Sequence, residues 1–269
     1  MIRARKRFGQ HFLHDPAVIA RIVAAVHLQP GEAAVEIGPG RGALTGALLQ
    51  AAGHLDAIEI DRDLAALLRE RFNAQSGLTL HAADALDFDW RSLAAERGRR
   101  LRLIGNLPYN ISTPLLFRLL GCIDVIHDMH FMLQREVAER ILASPGSDAY
   151  GRLGVMLAPR LAAERVLDVG AGAFQPPPRV ASTIVRLSVR DALPPPPLYG
   201  AVVAAAFAQR RKTLRNALRE YLDAAHISAL GLDPGGRAEQ LSPLDFAALA
   251  RAAQQVAAPL APAPDAVIH

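Results

Sequence analysis

A loop with the sequence Asn106-Leu107-Pro108-Tyr109 follows a predicted strand, and its residue types suit methyl transfer to a conjugated amine. The lone pair of such an amine, for example N6 of adenine, is delocalised into the ring, so the nitrogen is a poor nucleophile. Its two N–H groups can donate hydrogen bonds to the Asn106 side-chain carbonyl and to the backbone carbonyl of Leu107 or Pro108. These bonds would turn the lone pair towards a methyl donor. Tyr109 can stack on the base. Oriented acceptors would then carry the rate without a strong base.

A glycine-rich turn between a predicted strand and helix is a second candidate site. It covers residues 35–45, where Gly38 allows a ligand to approach the backbone at a helix N-terminus. Glu59 follows Gly38 by 21 residues, at the end of the next strand. A carboxylate there can accept hydrogen bonds from both ribose hydroxyls. Nicotinamide dinucleotides and S-adenosylmethionine both carry an adenosine, so this pair of features does not choose between them.

The choice between a nicotinamide dinucleotide and S-adenosylmethionine depends on two further acids and on the Asn106–Tyr109 loop. Asp84 follows the third predicted strand, where it could meet an adenine amino group or simply form a turn. Glu36 could face an ammonium group, or be a surface residue at a strand end. A dehydrogenase would share the glycine turn and Glu59 but has no use for the loop. S-adenosylmethionine is therefore the expected cofactor.

The elements that must position these residues alternate between strand and helix. Apolar runs and helical spacing predict strands at 33–37, 55–60, 78–81, 101–104, 129–133 and 180–189. They predict helices from Pro16, with Asp15 as its cap, and at 42–52, 62–72, 113–120 and 135–142. This alternation predicts an α/β fold with a mostly parallel sheet covered on both faces. A second glycine-rich segment, 168–172, precedes three prolines that cannot open a helix, so it is predicted to be a loop.

The run of four prolines at 194–197 marks the clearest domain boundary, because it can neither continue a helix nor enter a central strand. Helices are predicted beyond it at 199–209, 213–222 and 244–256. The chain is thus divided into a large domain over residues 1–190, a small helical domain over 191–257 and a disordered tail over 258–269.

Composition excludes several classes of protein. With 269 residues and 51% hydrophobic residues, the chain can bury a sizeable core. No apolar run could span a bilayer, and the basic N-terminus lacks the apolar stretch of a secretory signal. Cys122 is the single cysteine, which excludes an intrachain disulfide and a cysteine-based zinc site. A cytoplasmic protein without a metal and without a membrane partner is expected.

The positive charges are clustered, although the net charge is only +4. The first ten residues carry four cations and no acid, and residues 179–219 carry eight cations against one acid. Such clusters indicate a polyanionic partner, with a merely solvated surface as the alternative. Arg211, Arg215 and Arg219 recur every four residues, which predicts one helical face. The residues assigned to RNA binding are Arg5, Lys6, Arg7, Arg211, Lys212, Arg215 and Arg219.

Five ordered segments resemble the KsgA-type family of ribosomal RNA adenine dimethyltransferases, over nearly the whole chain. They are Arg5–Leu13, Val35–Thr45, Asn106–Pro114, Phe174–Ser182 and Phe207–Asn216. The last two favour this family over the related resistance methyltransferases that act on large-subunit RNA. The resemblance implies a Rossmann-like, seven-stranded S-adenosylmethionine-dependent methyltransferase fold with a small C-terminal helical domain.

The same resemblance implies a reaction and a set of contacts. The reaction is dimethylation of N6 on two adjacent adenosines in the 3′-terminal hairpin loop of 16S ribosomal RNA, on a precursor of the 30S subunit and by a monomer. The implied cofactor contacts are His11, Leu13, Gly38, Glu59, Asp84 and Asn106. Members often have Asn where this chain has His11. The family places a second aromatic against the target base at Phe174, for which the alternative is a core residue before a proline turn.

Two other classes compete with this assignment. A DNA adenine methyltransferase would share the Asn106–Tyr109 loop, but it usually needs a target-recognition region larger than the roughly sixty residues after the proline run. A non-enzymatic ribosome-assembly factor could use the clustered cations equally well. The intact loop argues against a loss of activity, and it leaves room for a second, binding role.

Overall fold

The computed structural model describes residues 11–192, 194–209 and 211–257. The strands are β1 (Phe12–Leu13), β2 (Ala33–Ile37), β3 (Leu55–Ile58), β4 (Leu78–His81), β5 (Leu101–Asn106), β6 (Ile126–Gln134), β7 (Leu161–Val169), β8 (Phe174–Gln175) and β9 (Ser182–Val189). The helices are α1 (Pro16–Val26), α2 (Thr45–Ala52), α3 (Arg62–Arg71), α4 (Trp90–Arg97), α5 (Ser112–Leu120), α6 (Arg135–Leu142), α7 (Arg152–Leu157), α8 (Tyr199–Phe207), α9 (Leu214–Ala217), α10 (Ala224–Ala229) and α11 (Pro243–Ala257).

The large sheet has seven strands in the order β4-β3-β2-β5-β6-β9-β7. The first five are parallel to one another, and β9 is antiparallel to both β6 and β7. Parallel neighbours need crossover connections, which α2, α3, α4 and α5 supply. The chain order reverses between β2 and β5, and ligands of open α/β sheets bind at the carboxyl ends of strands beside such a reversal. The predicted α/β fold is confirmed.

Burial explains why the central strands could be recognised from the sequence. All five residues of β2 and all four of β3 are buried, as expected for strands covered by helices on both faces. Asp15 caps α1 by accepting hydrogen bonds from the backbone N–H groups of Ala17 and Val18, as predicted. The helix predicted from residue 42 begins instead at Thr45. Gly42 has φ of +79°, a left-handed conformation that cannot belong to an α-helix.

The late strand predicted at 180–189 is confirmed as β9, and its antiparallel pairing explains why no crossover helix precedes it. The edge strand β7 was not predicted. Its residues 162–166 are exposed or partly exposed, so it lacks the continuous apolar run that identifies the central strands. The short pair β1 and β8 was not predicted either, because two residues carry no periodicity.

Contacts divide the chain into two compact units. The first contains Met1–Leu142 and Arg160–Asp191, and the second contains Ala143–Pro159 and Ala192–His269. Residues 143–159 therefore belong with the C-terminal helices, which differs from the predicted boundary at residue 190. Tyr199 donates a hydrogen bond to the Val155 carbonyl, and Tyr150 donates one to the Leu241 carbonyl, both at 2.8 Å. The predicted disordered tail, 258–269, lies outside the described residues.

The helix predicted at 213–222 is wrong, because α9 covers only Leu214–Ala217. Buried leucines at 214, 218 and 222 hold successive turns against the core of the second unit. Asp223 then caps a separate helix, α10. Arg211 and Arg219 lie outside α9, so the assigned cations do not share one helical face. Both side chains are exposed.

Candidate active site

A cavity in the first unit lies at the carboxyl ends of β2, β3, β4 and β5. The structure brings together there the predicted cofactor residues His11, Leu13, Gly38, Glu59, Asp84 and Asn106, and the loop residues Leu107, Pro108 and Tyr109. Glu36, Arg41, Ile60 and Asn110 also line it. Residues far apart in sequence therefore form one site because the strands that carry them are neighbours in a parallel sheet.

The glycine turn after β2 forms one wall of the cavity. Gly40 has φ of +59°, and a Cβ atom there would come within 3.1 Å of the Phe12 ring. The Gly40 N–H donates a hydrogen bond of 3.1 Å to Glu59 Oε2. This contact joins the turn after β2 to the acid after β3. The positive φ and the nearby Phe12 ring favour a residue without a side chain at position 40.

Glu59 is 4% exposed, and both its carboxylate oxygens are held by the backbone. Oε2 accepts from Gly40 and Oε1 accepts from the Asp61 N–H at 2.9 Å. Burial raises the pKa of this carboxyl, against the effect of those hydrogen bonds. Each carboxylate oxygen can accept a second bond, so the group is fixed in place and still able to receive ribose hydroxyls.

Glu36 is a buried acid beneath the turn, 2% exposed, so the alternative of a surface residue is wrong. Its Oε2 accepts a hydrogen bond of 2.6 Å from the Thr45 hydroxyl. Burial raises the pKa of Glu36 to about 7, and the nearby negative charge of Glu59 adds to that effect. Thr45 was not predicted as part of the site, since a Thr in the first turn of a helix carries no local signal of its own.

Asp84 forms the turn that was the alternative interpretation, and its contact with an adenine amino group stays a prediction. Its Oδ1 accepts a hydrogen bond of 2.9 Å from the Leu86 N–H, as a turn-forming Asp does, and the residue lines the cavity. Ile60, which directly follows Glu59, was not predicted. It is 46% exposed and offers an apolar surface in the cavity where a flat base could pack. No separate signal in the sequence pointed to it, because Ile60 was the last residue of the strand predicted at 55–60, whereas β3 ends at Ile58.

The Asn106–Tyr109 loop, which is the predicted catalytic loop, is held at both ends. Asn106 Nδ2 donates a hydrogen bond of 2.9 Å to the His11 carbonyl, which fixes the orientation of the amide and leaves Oδ1 to act as an acceptor. Leu107 is 1% exposed, and its N–H donates to the Met132 carbonyl at 3.3 Å. The Ile111 N–H donates to the Pro108 carbonyl at 3.1 Å, which closes the turn before α5.

Tyr109 is positioned by contacts on both sides. Its hydroxyl is hydrogen-bonded to the Ser182 hydroxyl at 2.8 Å, and its ring lies 5.6 Å from the His11 ring, centre to centre. Burial raises the pKa of Tyr109, so the phenol is neutral at physiological pH. The ring is therefore fixed in orientation at the edge of the cavity, as a stacking role requires.

The remaining predicted residues lie elsewhere. Phe174 is 2% exposed and belongs to a core cluster that includes Leu13, its pairing partner across β1 and β8. It is not among the described residues that line the cavity. The structure thus places Phe174 as the alternative interpretation did, and its stacking role stays a prediction that needs an exposed ring. Arg5, Lys6 and Arg7 lie outside the described residues.

The side chains of the cavity fit a cationic adenosine derivative. Three carboxyl groups, those of Glu36, Glu59 and Asp84, line it beside the apolar surface of Ile60. A buried acid under the glycine turn favours a ligand with ammonium and sulfonium charges, and it would oppose the pyrophosphate of a dinucleotide. Together, the reversed sheet order, the glycine turn and the Asn-x-Pro-Tyr loop define an S-adenosylmethionine-dependent methyltransferase.

Comparison with known proteins assigns the family. The family model described as "Ribosomal RNA adenine dimethylase" matches residues 1–255. The chain belongs to this family, and the resemblance predicted from five sequence segments is confirmed. It is an enzyme that uses S-adenosylmethionine as its methyl donor.

Individual relatives agree with that assignment. The chain is 56% identical over 253 residues to a "Ribosomal RNA small subunit methyltransferase A" of Nitrosococcus oceani, covering 93% of this chain and 96% of the relative. It is 53% identical over 260 residues to the protein of that name from Pseudomonas aeruginosa, covering 95% of each.

Solved structures support the fold. The structure of the 23S rRNA methyltransferase ErmE is 27% identical, with a TM-score of 0.69, and the match covers 91% of this chain and 100% of that chain. A dimethyladenosine transferase from Plasmodium falciparum gives a TM-score of 0.75 at 24% identity, covering 89% of this chain and 96% of that chain. The predicted Rossmann-like methyltransferase fold is confirmed.

The described part of the chain contains neither a candidate membrane-spanning helix nor a candidate metal site. Within 11–192, 194–209 and 211–257, no helix has the length and apolar character needed to cross a bilayer. Within the same ranges, His, Cys, Asp and Glu side chains form no group of three or more arranged to hold a metal ion.

The raised pKa of Glu36 predicts that cofactor affinity increases with pH. The carboxylate of Glu36 attracts a cationic ligand, and the protonated acid does not. Because its pKa is about 7, the affinity for S-adenosylmethionine should rise about tenfold between one pH unit below that pKa and a pH well above it. Binding at pH 6 should release a proton. Isothermal titration in buffers of different ionisation enthalpy measures both quantities.

Glu36→Gln is the matched control for this prediction. It should flatten the pH dependence, and the weakening should be greatest at high pH. An equally steep pH profile in the variant would assign the titration to another group. In the protein without cofactor, Glu36 binds its proton more tightly in the folded than in the unfolded chain. Its contribution to stability is therefore full below about pH 4.5 and is lost as the pH rises to about 7.

Proposed function

We propose that this chain converts two adjacent adenosines in the 3′-terminal hairpin loop of 16S ribosomal RNA to N6,N6-dimethyladenosine. The observation that carries the proposal is the position of the Asn106 amide. It lies at the carboxyl end of β5 and is oriented by a hydrogen bond to the His11 carbonyl. It lines the cavity that also contains three carboxyl groups. This arrangement supplies an acceptor for an exocyclic amine beside a site suited to a cationic methyl donor.

The chain's own residues orient the amine. Asn106 Oδ1 accepts a hydrogen bond from one N6–H group, and the Leu107 or Pro108 carbonyl accepts one from the other. These two bonds turn the nitrogen lone pair out of conjugation. The Pro108 carbonyl already accepts from Ile111 and has one remaining lone pair, so both carbonyls stay open as the second acceptor. The donors and acceptors are in place before the base arrives, so little reorganisation is needed during reaction.

Glu36, Glu59, Asp84 and Ile60 would hold the cofactor, which when bound supplies an electrophilic methyl group. N6 would receive that methyl group from the cofactor sulfur. The methylated amine is then acidic and loses a proton to solvent, so no side-chain base is required. Tyr109, fixed through Ser182, would stack on the extruded base.

The relatives' names favour small-subunit RNA as the substrate. The two relatives described above, at 53–56% identity, are named for the small ribosomal subunit, whereas ErmE, at 27% identity, is named for 23S RNA. We further propose a precursor of the 30S subunit as the substrate, a monomer as the active form and the cytoplasm as its place of action.

Methyl transfer from labelled S-adenosylmethionine tests the proposal. The acceptors are small subunits that lack the modification, with large subunits as the control. The product nucleoside is identified by mass spectrometry. N6,N6-dimethyladenosine at two adjacent positions of small-subunit RNA is expected. Label only in large subunits, or only the monomethyl nucleoside, would contradict the proposal.

The exposed Arg211 and Arg215 and the partly exposed Lys212 are predicted to contribute to RNA binding even though the assigned cations share no helical face. Replacing Arg211, Lys212 and Arg215 with Ala should flatten the dependence of log K on log[salt] by up to about 2, at roughly 0.7 per single-strand phosphate contact. None of the three lines the cavity, so cofactor affinity should not change. Filter binding across a salt series measures the slope.

Arg251→Ala is a control in the same unit, since Arg251 is an exposed cation on α11. It should leave the slope close to that of the wild type. If the triple variant keeps wild-type affinity and salt dependence, these cations are solvated surface residues and RNA is bound by other parts of the chain.

A further inference from the structure

The carboxyl edge of the large sheet carries acids that line the cavity on one half and two exposed arginines on the other. On the half formed by β4, β3 and β2, the acids Glu36, Glu59 and Asp84 line the cavity. On the half formed by β6, β9 and β7, Arg135 begins α6 directly after β6, and Arg179 lies three residues before β9. The acidic half accommodates a cationic cofactor. The basic half is the complementary place for the anionic substrate.

The basic half is connected directly to the catalytic loop. Tyr109 is hydrogen-bonded to Ser182, the first residue of β9. The Arg135 N–H donates a hydrogen bond of 3.0 Å to the Ala181 carbonyl, one residue before Ser182. Arg135 and the segment that carries Arg179 therefore flank the residue that fixes the stacking ring of Tyr109.

The two arginines are available to a ligand. Both side chains are exposed, and within the described ranges neither forms an ion pair with a carboxylate. The nearby acids pair with other arginines, since Glu136 pairs with Arg140 and Asp168 with Arg165. The hydrogen bond from Thr183 lowers the pKa of Asp168, and the positive charges of Arg165 and Arg135 add to that effect, so Arg135 lies near an acid without pairing to it. Two exposed guanidinium groups that form no ion pair are suited to phosphates, which they can bind with paired hydrogen bonds.

An exposed apolar residue lies in the same segment. Val180, between Arg179 and Ala181, is 46% exposed, whereas most of the residues of β9 that follow it are buried. Single-stranded RNA presents phosphates together with unstacked base faces, so cations next to an apolar contact match its chemistry. A duplex would hide those base faces.

We propose that Arg135, Arg179 and Val180 form a flanking platform that binds the nucleotides next to the target adenosine. The arginines contact the backbone phosphates, and Val180 packs on the face of a neighbouring unstacked base. The platform aligns the strand so that the target base reaches Tyr109 and Asn106. This inference rests on the proposed RNA substrate and assigns the position of that RNA on the first unit.

The first test compares two double variants with equal loss of charge. The double variant Arg135→Ala with Arg179→Ala should flatten the dependence of log K on log[salt] for an unmodified hairpin RNA by about 1.4, because it removes two phosphate contacts at roughly 0.7 each. At 0.1 M salt, its binding should be about 25-fold weaker than that of the wild type. The control is Arg100→Ala with Arg190→Ala. Arg100 precedes β5 and Arg190 follows β9, so these exposed cations lie at the opposite edge of the sheet. The control should bind RNA as the wild type does.

The second test isolates Val180. Val180→Ser should weaken binding of the same RNA about fivefold by removing apolar contact area, and Val180→Ile should not weaken it. All variants should keep wild-type affinity for S-adenosylmethionine, because none of these residues lines the cavity. That measurement also confirms that each variant is folded.

Equal losses in the platform and control variants would overturn the inference, as would wild-type RNA affinity and salt slope in Arg135→Ala with Arg179→Ala. Failure of the proposed function is distinguishable from both outcomes. In that case the wild-type enzyme would transfer no methyl group to small-subunit RNA, whatever the binding of the variants.

Discussion

Asn106→Ala should lower the turnover number by about 10²–10³ while the fold is retained. The side chain supplies the acceptor Oδ1 that orients the target amine, and its Nδ2 is already committed to the His11 carbonyl at 2.9 Å. Alanine removes a preorganised acceptor that acts on the reacting nitrogen. The loss should therefore appear in the rate of chemistry more than in the affinity for RNA.

The measurement is single-turnover methyl transfer at saturating cofactor, because Asn106 also lines the cofactor cavity. Cofactor affinity is determined separately by calorimetry. Asn110→Ala is the matched control, since Asn110 is in the same loop, lines the same cavity and is exposed. It should retain most of the activity. Turnover of Asn106→Ala near the wild-type value would refute the proposed role.

Arg102→Leu is predicted to lower the free energy of unfolding by roughly 3–5 kcal/mol. Arg102 is 7% exposed, and its guanidinium donates two hydrogen bonds to Asp128, at 2.9 and 2.8 Å, and one to Glu32 at 2.6 Å. Burial opposes ionisation of Asp128, but the bonds from Arg102 lower its pKa. Without Arg102, the buried Asp128 on β6 would keep only the longer ion pair with the exposed Arg186, at 3.5 Å.

Urea denaturation of two further variants checks the physical cause. Arg91→Leu removes an exposed arginine that also makes two hydrogen bonds to one aspartate, Asp124, and it should cost no more than about 1 kcal/mol. Arg102→Leu combined with Asp128→Leu should be more stable than Arg102→Leu alone, because no buried charge is left at Asp128. Equal costs for Arg91→Leu and Arg102→Leu would show that burial of the pair is unimportant.

Local patterns in the sequence were sufficient for the central fold. The strands β2, β3, β5 and β6 are apolar runs because helices cover both faces of the sheet, and the caps and glycine turns that limit the helices are encoded within a few residues. The strand ends also indicated the site, since parallel strands bring their carboxyl ends to one edge.

Predictions that depended on packing between distant parts of the chain differed from the structure. A continuous helix was predicted at 213–222, but the buried side chains of Leu214, Leu218 and Leu222 lie in successive turns. Residues 143–159 belong with the C-terminal helices through contacts such as Tyr150 to Leu241, which no local pattern reveals. The outer strand β7 was missed because only part of it is buried.

The sequence by itself determined the family and the cofactor class, and it indicated the loop that we propose acts on the substrate, because those depend on residue types within short motifs. Only the tertiary structure decided the protonation and orientation of the groups involved. The pKa of Glu36 follows from its burial beside Glu59, and the orientation of Asn106 follows from a bond to His11, 95 residues earlier in the chain. Burial and long-range hydrogen bonds are set by which elements pack together, and a local sequence pattern does not contain that information.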